Sequence, residues 1–457
     1  MGVPSAGHSC RARLGRRFTH VPVAGVLEFS FDSALRTDYG CRASPPNGSY
    51  RCYRSRLRPG DDRRFSVLVV SHSYPPVLGG SEIEVQRVCS ALLRRGHSVT
   101  VLCAGGPPMP DLAAWTDPAG VPVRIFGGRR FARLRDYAFA LGVVRTLFRE
   151  RDRYQIVYFL MQGLHLAAGL PVARWLDKPI VMKVSGSGII TIMRQSWLGR
   201  LELRYLRKWA RRVMILNRGM AEEAASAGFE PQHLLWMPNP VDTGEFVPCD
   251  AERRLQLRER FGIPASAPVV IFVGRLAPEK ELQSLIRAFA ASLCDEPDAV
   301  LLLVGDGPMR DELETLAAEL RLGAAVRFAG RKTAEEVCLW LQASDVFALV
   351  SSNEGFPCSL IEAMSAGLPS VVSAIPANVQ LVEDGIHGFQ AELGNEASIA
   401  SALKRLLLDE ALRARMGAAA RGLALSSYSV DKVIDRYEAL FAEAMAPPIR
   451  SGTRRSR

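Results

Sequence analysis

The sequence predicts an α/β protein of two doubly wound domains, each a parallel β-sheet with helices on both faces. Two observations lead to this class. From Phe65 onward, short apolar runs rich in Val and Ile alternate with longer amphipathic runs, which is typical of strand-helix units in parallel sheets. The chain also has 457 residues, too many for one ordinary core of about 150–200 residues.

The first half of the chain contains predicted buried strands that are short and bounded by Gly, Pro or charge. They are Phe65 to Ser71, Ser98 to Cys103, Val123 to Phe126, Gln155 to Phe159, Pro179 to Val184 and Arg212 to Leu216. Ser81 to Arg95 is the clearest helix between them, because its apolar residues share one face and a glycine follows it. The apolar window from Ile156 to Trp175 contains Gln, His and Pro, which favours a strand and a core helix over a membrane span.

The second half repeats the alternation and predicts a second parallel sheet. Its strands are Val269 to Val273, Ala299 to Val304, Val326 to Ala329, Val346 to Val350 and Ser370 to Ser373. Leu282 to Leu293 and Arg310 to Leu320 are among its helices. Two such domains facing each other would form a cleft at the carboxyl ends of both sets of strands, where open parallel sheets bind ligands.

In the stretch from Ser351 to Pro369, two carboxylates, Glu354 and Glu362, are eight positions apart. Gly and Pro after Glu354 exclude regular structure there, and Ser359 is predicted to cap the helix that carries Glu362. A carboxylate at the mouth of a helix accepts hydrogen bonds from hydroxyl groups, while the free N–H groups and the helix dipole attract a phosphate. The pattern predicts a sugar-nucleotide site.

Two cations, Arg275 and Lys280, follow a predicted strand and are five positions apart. A turn can bring this guanidinium and this ammonium to one diphosphate, where fixed charge stabilises a leaving phosphate. The alternative interpretation is two ordinary surface cations at the start of a helix. No Asp-x-Asp pair stands at the end of a predicted strand, so we predict no metal and no cofactor.

Four stretches, in this order, resemble the motifs of family 4, a large bacterial family of retaining glycosyltransferases with the two-domain GT-B fold. They are Gly79 to Glu82, Val273 to Lys280, Leu303 to Pro308 and Ser351 to Pro369, the last with the signature E-x7-E. The resemblance covers about residues 65 to 437. It implies a cleft between two Rossmann-like domains, a nucleotide-sugar donor, and a last helix, Asp431 to Met445, that crosses back to the first domain.

In the resembling enzymes the first carboxylate contacts the transferred sugar and the second binds the ribose hydroxyls, which implies these roles for Glu354 and Glu362. Beside the catalytic set of Glu354, Arg275 and Lys280, the implied donor-binding residues are Gly79, Gly80, Gly274, Gly305, Gly307, Gly355, Phe356, Pro357, Ser359 and Glu362. The glycines could also serve only as tight turns. The family is generally thought to react from the front face, with the leaving phosphate helping to deprotonate the acceptor, so no nucleophile is assigned.

The chain departs from the family pattern after one strand of the first domain. Many relatives place a His-Gly pair there, close to the transferred sugar, whereas this chain has Lys183, Val184, Ser185 and Gly186. The implied sugar or acceptor contacts are therefore Lys183, Ser185 and Gly186. His165 is another candidate for the missing histidine, although a lone His on an apolar helix is more often a satisfied core residue.

The formal net charge of +11 lies in the two ends of the chain. Residues 1–64 have twelve Arg against five acidic residues, and residues 450–457 add four Arg, so the body is neutral. The predicted organisation is a basic extension (1–64), an acceptor-side domain (65–245), a nucleotide-sugar domain (246–428), a returning helix (429–446) and a basic tail (447–457). A nucleic-acid partner is not expected, because the charge does not mark a folded face.

Nine scattered cysteines without a C-x-x-C pair favour reduced thiols and a cytoplasmic location. The Arg-rich N-terminus and a short apolar run loosely resemble a signal peptide, but Glu28 interrupts that run. The segment from Met193 to Arg212 combines Trp with many Arg and Lys. Such a helix either lies on an anionic membrane surface or packs on the core with a solvated basic face.

Together with the resemblance to family 4, which implies retention, these features predict a retaining, metal-independent glycosyltransferase. It would move a hexose from a nucleotide-diphosphate sugar to a hydroxyl of a saccharide, a lipid-linked glycan or a related acceptor. Two alternatives from other classes are a GT-B nucleotide-sugar epimerase and a non-catalytic GT-B binding scaffold. An epimerase would act on the donor alone, and a scaffold would tolerate the loss of Glu354.

Overall fold

The computed structural model describes residues 64–77, 79–105, 113–127, 134–293 and 295–446. The predicted basic extension, apart from Arg64, and the predicted basic tail lie outside these residues. Among the described helices, none combines the length and the apolar character needed to cross a membrane.

The first lobe consists of one sheet and the helices around it. Its elements in chain order are β1 (Ser66–Ser71), α1 (Gly80–Arg94), β2 (Ser98–Ala104), β3 (Ala114–Thr116), β4 (Pro122–Phe126), α2 (Arg135–Arg149), β5 (Ile156–Leu160), α3 (Leu164–Trp175), β6 (Ile180–Lys183), α4 (Ile189–Gln195), α5 (Trp197–Trp209), β7 (Ala210–Ile215), α6 (Arg218–Ser226) and β8 (Leu234–Trp236). The strand order is β3-β4-β2-β1-β5-β6-β7-β8, and every pairing except β3 with β4 is parallel. The strands β1, β6 and β7 therefore end at the same edge of the sheet.

The second lobe repeats this architecture. Its elements are α7 (Ala251–Arg260), β9 (Val269–Val273), α8 (Leu282–Ser292), β10 (Val300–Val304), α9 (Arg310–Glu319), β11 (Val326–Gly330), α10 (Ala334–Gln342), β12 (Val346–Leu349), α11 (Cys358–Ser365), β13 (Ser370–Ser373), α12 (Pro376–Val379), β14 (Gly388–Ala391), α13 (Glu396–Leu408) and α14 (Glu410–Leu423). All pairings in the order β11-β10-β9-β12-β13-β14 are parallel. Because β9 is flanked by β10 and β12, the loops that follow these three strands lie side by side.

Two segments cross between the lobes and hydrogen-bond to each other. The N–H of Val241 donates to the carbonyl of Tyr428 at 2.8 Å, and the N–H of Val430 donates to the carbonyl of Val241 at 3.1 Å. Beyond this crossing, α15 (Val430–Met445) packs on α1. Its buried Tyr437 and Phe441 belong to the apolar core of the first lobe.

The predicted strands are all present, with ends that differ by at most two residues. The prediction missed β3, β8 and β14, which have only three or four residues, too few to show a period. One predicted helix is wrong, because the segment from Met193 to Arg212 divides into the end of α4, the helix α5 and the start of β7. Ser196 causes the division, since its side chain accepts a hydrogen bond from the Gly199 N–H and starts a new helix.

Candidate active site

The loop after β12 and the helix α11 form the second-lobe side of the candidate site. The loop contains Glu354, and α11 begins at Cys358 directly after Pro357. The predicted cap is wrong: Ser359 lies inside the first turn, and no side chain caps α11. The reason is that Pro357, with extended backbone, already occupies the N-cap position.

Glu354 is held in this loop by a cation and a hydroxyl group. Lys280 Nζ lies 2.6 Å from Glu354 Oε1, and Ser351 Oγ donates to the same oxygen at 2.7 Å. The side chains of Lys280 and Glu354 are only 17% and 10% exposed, so this charge-assisted hydrogen bond is largely shielded from water. The structure thus brings one predicted carboxylate and one predicted cation into direct contact.

The backbone of the Glu354 loop contacts the first lobe. Ser187 Oγ donates to the Glu354 carbonyl at 2.6 Å, and Asn217 Nδ2 donates to the Gly355 carbonyl at 2.7 Å. A Cβ on Gly355 would lie 3.0 Å from the Cα of Gly186, so a larger residue would push the two backbones apart. The Glu354 loop therefore lies at the boundary between the lobes.

Arg275 lies on a loop beside Glu354 but pairs elsewhere. Its Nη2 is 2.7 Å from Glu279 Oε1, and its side chain is 67% exposed. The two loops are joined, since the Ser352 N–H donates to the Glu279 carbonyl at 2.9 Å. The Arg275 guanidinium therefore belongs to the same group of loops as Lys280. Its described ion pair is with Glu279 and not with Glu354.

Glu362 forms an ion pair between the lobes. Its Oε1 lies 2.9 Å from Nη1 of Arg87 on α1, and both side chains are about nine-tenths buried. Burial raises the pKa of Glu362, and the attraction of Arg87 opposes this only in part. The Arg87 guanidinium also lies 5.5 Å from the centroid of the Phe246 ring. Glu362 is therefore a buried residue of the lobe boundary and not a solvated helix residue.

Two predicted glycines of the second lobe are explained by the packing of neighbouring loops. Gly305 has a φ of +142°, and a Cβ there would lie 1.8 Å from the Gly274 carbonyl oxygen. A Cβ on Gly307 would lie 2.3 Å from the Leu276 carbonyl oxygen. Glycine is thus required where the loops after β9 and β10 meet, whether or not a ligand binds there.

The glycine turn after β1 faces the start of α11. Cys358 Sγ lies 3.9 Å from the Gly80 carbonyl oxygen, and Gly79 is the N-cap of α1. Burial raises the pKa of Cys358 to about 11, so this thiol is neutral at physiological pH. The first-lobe glycines and the second-lobe helix therefore line opposite sides of one boundary.

Two predicted contact residues have side chains that are buried in protein. Phe356 is 6% exposed and packs edge-on against Tyr428, so a ligand could meet only its backbone. Lys183 is 1% exposed, and its Nζ lies 2.8 Å from Glu84 Oε1 and 2.8 Å from Asn239 Oδ1. The interpretation of Lys183 as a sugar or acceptor contact is wrong, because its ammonium is already satisfied inside the protein.

A cavity of about 460 Å³ lies in the first lobe beside Ser185 and Gly186. His165 also lines it, and its side chain is buried as predicted, but one of its two ring nitrogens lacks a described partner. His165 Nε2 and Ser185 Oγ have no hydrogen-bond partner among the described residues. An unsatisfied buried polar group costs about 1–3 kcal/mol, so a hydrogen-bond partner for either atom would be stabilising.

Several residues at these sites were not predicted from the sequence. They include His72, Asn217, Arg87 and Asp136. His72 and Asn217 each follow a parallel strand within two residues, and polar residues at the carboxyl ends of such strands are a signal that could have found them. Arg87 and Asp136 lie on helices, and nothing local distinguishes them from ordinary surface charges.

The residues at the lobe boundary suit a ligand that carries both hydroxyl groups and negative charge. Glu354 offers a carboxylate to hydroxyl groups, Lys280 places a positive charge beside it, and the cavity lies across the lobe boundary from the Glu354 loop. Such a site can position a hydroxyl-rich ligand against an anionic leaving group. Within the described ranges, no three His, Cys, Asp or Glu side chains are grouped so that they could hold a metal ion.

Two family models match the chain, one in each lobe. The model for glycosyltransferase family 4 matches residues 78–245, and the model for glycosyl transferases group 1 matches residues 253–423. An N-acetyl-alpha-D-glucosaminyl L-malate synthase from Bacillus anthracis is 30% identical over 190 residues, which cover 42% of this chain and 49% of that protein. The chain thus matches about half the length of this relative.

Longer matches extend over both lobes. A GDP-mannose-dependent alpha-(1-6)-phosphatidylinositol monomannoside mannosyltransferase from Mycolicibacterium smegmatis is 27% identical over 376 residues, 79% of this chain and 94% of that protein. The crystal structure of HepE from Anabaena in complex with UDP and glucose has a TM-score of 0.69 and 22% identity, with 83% of this chain and 100% of that chain covered. These relatives support glycosyl transfer and not the epimerase alternative. The matching models, the relatives and the shared two-lobed architecture show that the chain belongs to the family 4 (group 1) glycosyltransferases with the GT-B fold.

Proposed function

We propose that this glycosyltransferase takes a hexose from a nucleotide-diphosphate sugar held at the lobe boundary and transfers it, with retention, to a hydroxyl acceptor of a saccharide or lipid-linked glycan. The observation that carries the proposal is the shielded contact of Lys280 with Glu354 at that boundary. Glu354 would accept hydrogen bonds from the hydroxyls of the transferred sugar. The neighbouring ammonium would meet the phosphate oxygen that leaves.

The negative charge that develops on the leaving diphosphate needs compensation. Lys280 and the exposed Arg275 would supply it, with Arg275 exchanging its pair with Glu279 for the phosphate. Glu362 would bind the ribose hydroxyls near Arg87. The leaving phosphate would take the proton of the acceptor hydroxyl on the same face, so the reaction requires no protein nucleophile and, in this proposal, no metal or cofactor.

The experiment is a donor panel of UDP-, GDP- and ADP-hexoses in which hydrolysis, epimerisation and transfer to added acceptors are measured separately. Glu354→Gln keeps the shape of the side chain but removes its charge, and we expect it to abolish transfer while the fold stays intact by circular dichroism. Arg275→Ala should lower turnover by about 10² or more. Arg253→Ala, on the exposed face of α7, is the control. Normal rates in Glu354→Gln and Arg275→Ala would refute the assignment, and loss of activity in EDTA would refute metal independence.

We further propose that α4 and α5 approach an anionic membrane surface on the cytoplasmic side. Trp197 is 71% exposed and Ile192 is 56% exposed. Beside them α5 presents the exposed cations Arg204, Arg207 and Lys208, while Leu203 and Leu206 are buried. Exposed apolar groups next to a row of cations suit the interfacial region of a bilayer.

The membrane proposal predicts a loss of binding on charge reversal. A variant with Arg204, Arg207, Lys208 and Arg211 changed to Glu should no longer float with vesicles of anionic lipid, because attraction becomes repulsion. The control reverses four cations of the second lobe, namely Arg253, Arg260, Arg321 and Arg331. Equal vesicle binding by both variants and the unmodified protein would exclude this surface.

A further inference from the structure

A second pocket of the first lobe lies at the edge of the sheet opposite the candidate active site. Its volume is about 300 Å³, and its lining residues come from α5 and from the segment between α6 and β8. The helix α5 ends where β7 begins, and this segment leads into the start of β8. Because β7 and β8 are parallel, the pocket lies where these strands begin, whereas the Glu354 loop contacts the residues that follow the end of β7.

One wall of this pocket consists of three cations on one face of α5. Arg204, Arg207 and Lys208 are three and four positions apart, so their side chains are neighbours on the helix surface. The only acidic residue of α5, Glu202, is 1% exposed, and its Oε1 accepts a hydrogen bond from the Gly163 N–H at 3.0 Å. No exposed carboxylate of α5 therefore balances the three positive charges.

The side chains of these three cations make no ion pair or hydrogen bond with any described residue. Other exposed arginines of the first lobe do have a carboxylate partner, as Arg174 has Asp177 and Arg218 has Glu222. Like charges three or four positions apart on a helix repel one another. An anion bound between the three cations would remove this repulsion.

The opposite wall adds a glycine turn, an imidazole and one carboxylate. Gly228 has a φ of +83°, and a Cβ there would lie 2.5 Å from Arg207 Nη1, so the guanidinium packs directly on this turn. His233 carries an N–H in either neutral tautomer and can donate it to a ligand. The carboxylate is that of Glu230, which accepts a hydrogen bond from Gln232. Three cations thus face one carboxylate, and the pocket is positively charged.

The charge and the number of donors favour one kind of anion. At neutral pH a phosphomonoester carries a charge of about −1.5 to −2 and three acceptor oxygens, whereas a phosphodiester has a single negative charge. Three cationic side chains can each bind one oxygen of the monoester. A volume of about 300 Å³ is at the lower end of the range for small-molecule sites, which suits a phosphate with a short attached group.

We propose that Arg204, Arg207 and Lys208 bind a phosphomonoester in this pocket, with His233 as a further donor. A soluble phosphate ester and a lipid headgroup such as that of phosphatidic acid offer the same chemistry, and the experiment separates these two sources. The inference does not rest on the proposed glycosyl transfer. It goes beyond the proposed membrane surface, because diffuse negative charge would not satisfy a site of this kind.

The soluble arm of the experiment uses isothermal titration calorimetry on the unmodified protein at constant ionic strength. The probes are glycerol 3-phosphate, a monoester, and glycerophosphoglycerol, a diester. We expect the monoester to bind about tenfold more tightly or better, because it makes one more charge-assisted hydrogen bond.

The lipid arm measures flotation with phosphatidylcholine vesicles that contain either phosphatidic acid or phosphatidylglycerol, adjusted to the same surface charge. Diffuse attraction predicts equal binding to both. The pocket predicts about tenfold stronger binding to phosphatidic acid. A monoester preference in one arm alone identifies the source, a preference in both arms shows that the pocket accepts either source, and no preference in either arm overturns the inference while the membrane proposal stands.

Variants locate the binding. The pocket variant carries the changes Arg204→Gln, Arg207→Gln and Lys208→Gln. The control variant removes the same charge from exposed positions of the second lobe with Arg253→Gln, Arg260→Gln and Arg321→Gln. The pocket variant should lose the monoester preference and the control should keep it, with thermal unfolding as the check that both are folded. A preference that survives in the folded pocket variant overturns the assignment.

Glu230→Gln tests the pocket through a gain of affinity. It removes the one carboxylate of the lining, so monoester binding should become about twofold tighter. Unchanged or weaker binding would contradict the pocket. The nucleoside diphosphate that binds most tightly should not displace glycerol 3-phosphate, and displacement would place the phosphate in the donor site and overturn the inference. If no nucleotide binds, the proposed function fails and the phosphomonoester pocket is unaffected.

Discussion

At the level of single residues, burial decides which side chains can perform chemistry. Lys280 and Lys183 both pair with a carboxylate, but Lys280 is 17% exposed at the lobe boundary and Lys183 is 1% exposed within the core. Glu202 differs from both, because its carboxyl group is 1% exposed and has no cation partner among the described residues. Burial raises the pKa of Glu202 to about 7, and the Gly163 N–H lowers it only in part.

Glu202 should therefore make the stability of the protein depend on pH. A carboxyl group with a raised pKa in the folded state favours folding most below its unfolded pKa of 4.5, and this contribution is lost as the pH rises through about 7. Relative to Glu202→Gln, the free energy of unfolding of the unmodified protein should fall by about 2 kcal/mol between pH 5 and pH 8. Urea unfolding of both proteins at each pH measures this, and a constant difference would contradict the raised pKa.

At the level of elements, a buried polar network connects four segments that are distant in sequence. Lys183 at the end of β6 contacts Glu84 of α1 and Asn239 of the crossing segment. Tyr437 of α15 donates to Glu84 Oε1 at 3.1 Å. The returning helix and the first-lobe sheet are thus held by charge as well as by apolar packing, which makes the network sensitive to the loss of any one member.

Lys183→Met should be strongly destabilising, because it leaves the Glu84 carboxylate buried without its cation. We expect a loss of about 3–5 kcal/mol, seen as a lower urea midpoint. The double variant Lys183→Met with Glu84→Gln should recover part of the loss. Lys404→Met is the matched control, since its pair with Asp295 is half exposed and should contribute about 1 kcal/mol or less. Equal effects of both Lys→Met changes would show that Lys183 is not part of a critical network.

At the level of the whole molecule, the lobes meet through contacts that include residues of the proposed donor site. Ser187 and Asn217 hold the Glu354 loop, and Arg87 pairs with Glu362. The Gln380 amide adds a hydrogen bond of 2.8 Å to the Leu216 carbonyl. Two of these contacts involve Glu354 and Glu362, which would bind the donor, so we expect a change at the boundary to alter donor binding.

Arg87→Glu should open this boundary, since it places two carboxylates together in a poorly hydrated contact. We expect a larger radius of gyration in solution scattering. We also expect the affinity for the tightest-binding nucleoside diphosphate to fall by about tenfold or more, about 1.4 kcal/mol. Arg94→Glu makes the same charge change on an exposed position of α1. If the two variants bind nucleotide equally well, the pair of Arg87 with Glu362 has no part in the donor site.

The sequence by itself determined the two α/β lobes, nearly all of the strands and the pairing of a carboxylate motif with a cationic loop. These features are encoded locally, by the period of apolar residues, by Gly and Pro at loop positions and by the spacing within motifs. The segment around Ser196 shows the limit of this reasoning, because one capping residue divided a predicted helix whose apolar pattern was continuous.

Only the tertiary structure decided which polar side chains face each other. The burial of Lys183 by Glu84, the pairing of Glu362 with Arg87 and the meeting of His165 with Ser185 in one cavity all join residues on different elements. Sequence spacing cannot show such contacts, because they depend on how the sheet edges, the crossing segments and the two lobes pack together. The donor motif could thus be predicted from the chain, whereas the first-lobe cavity could be found only from the fold.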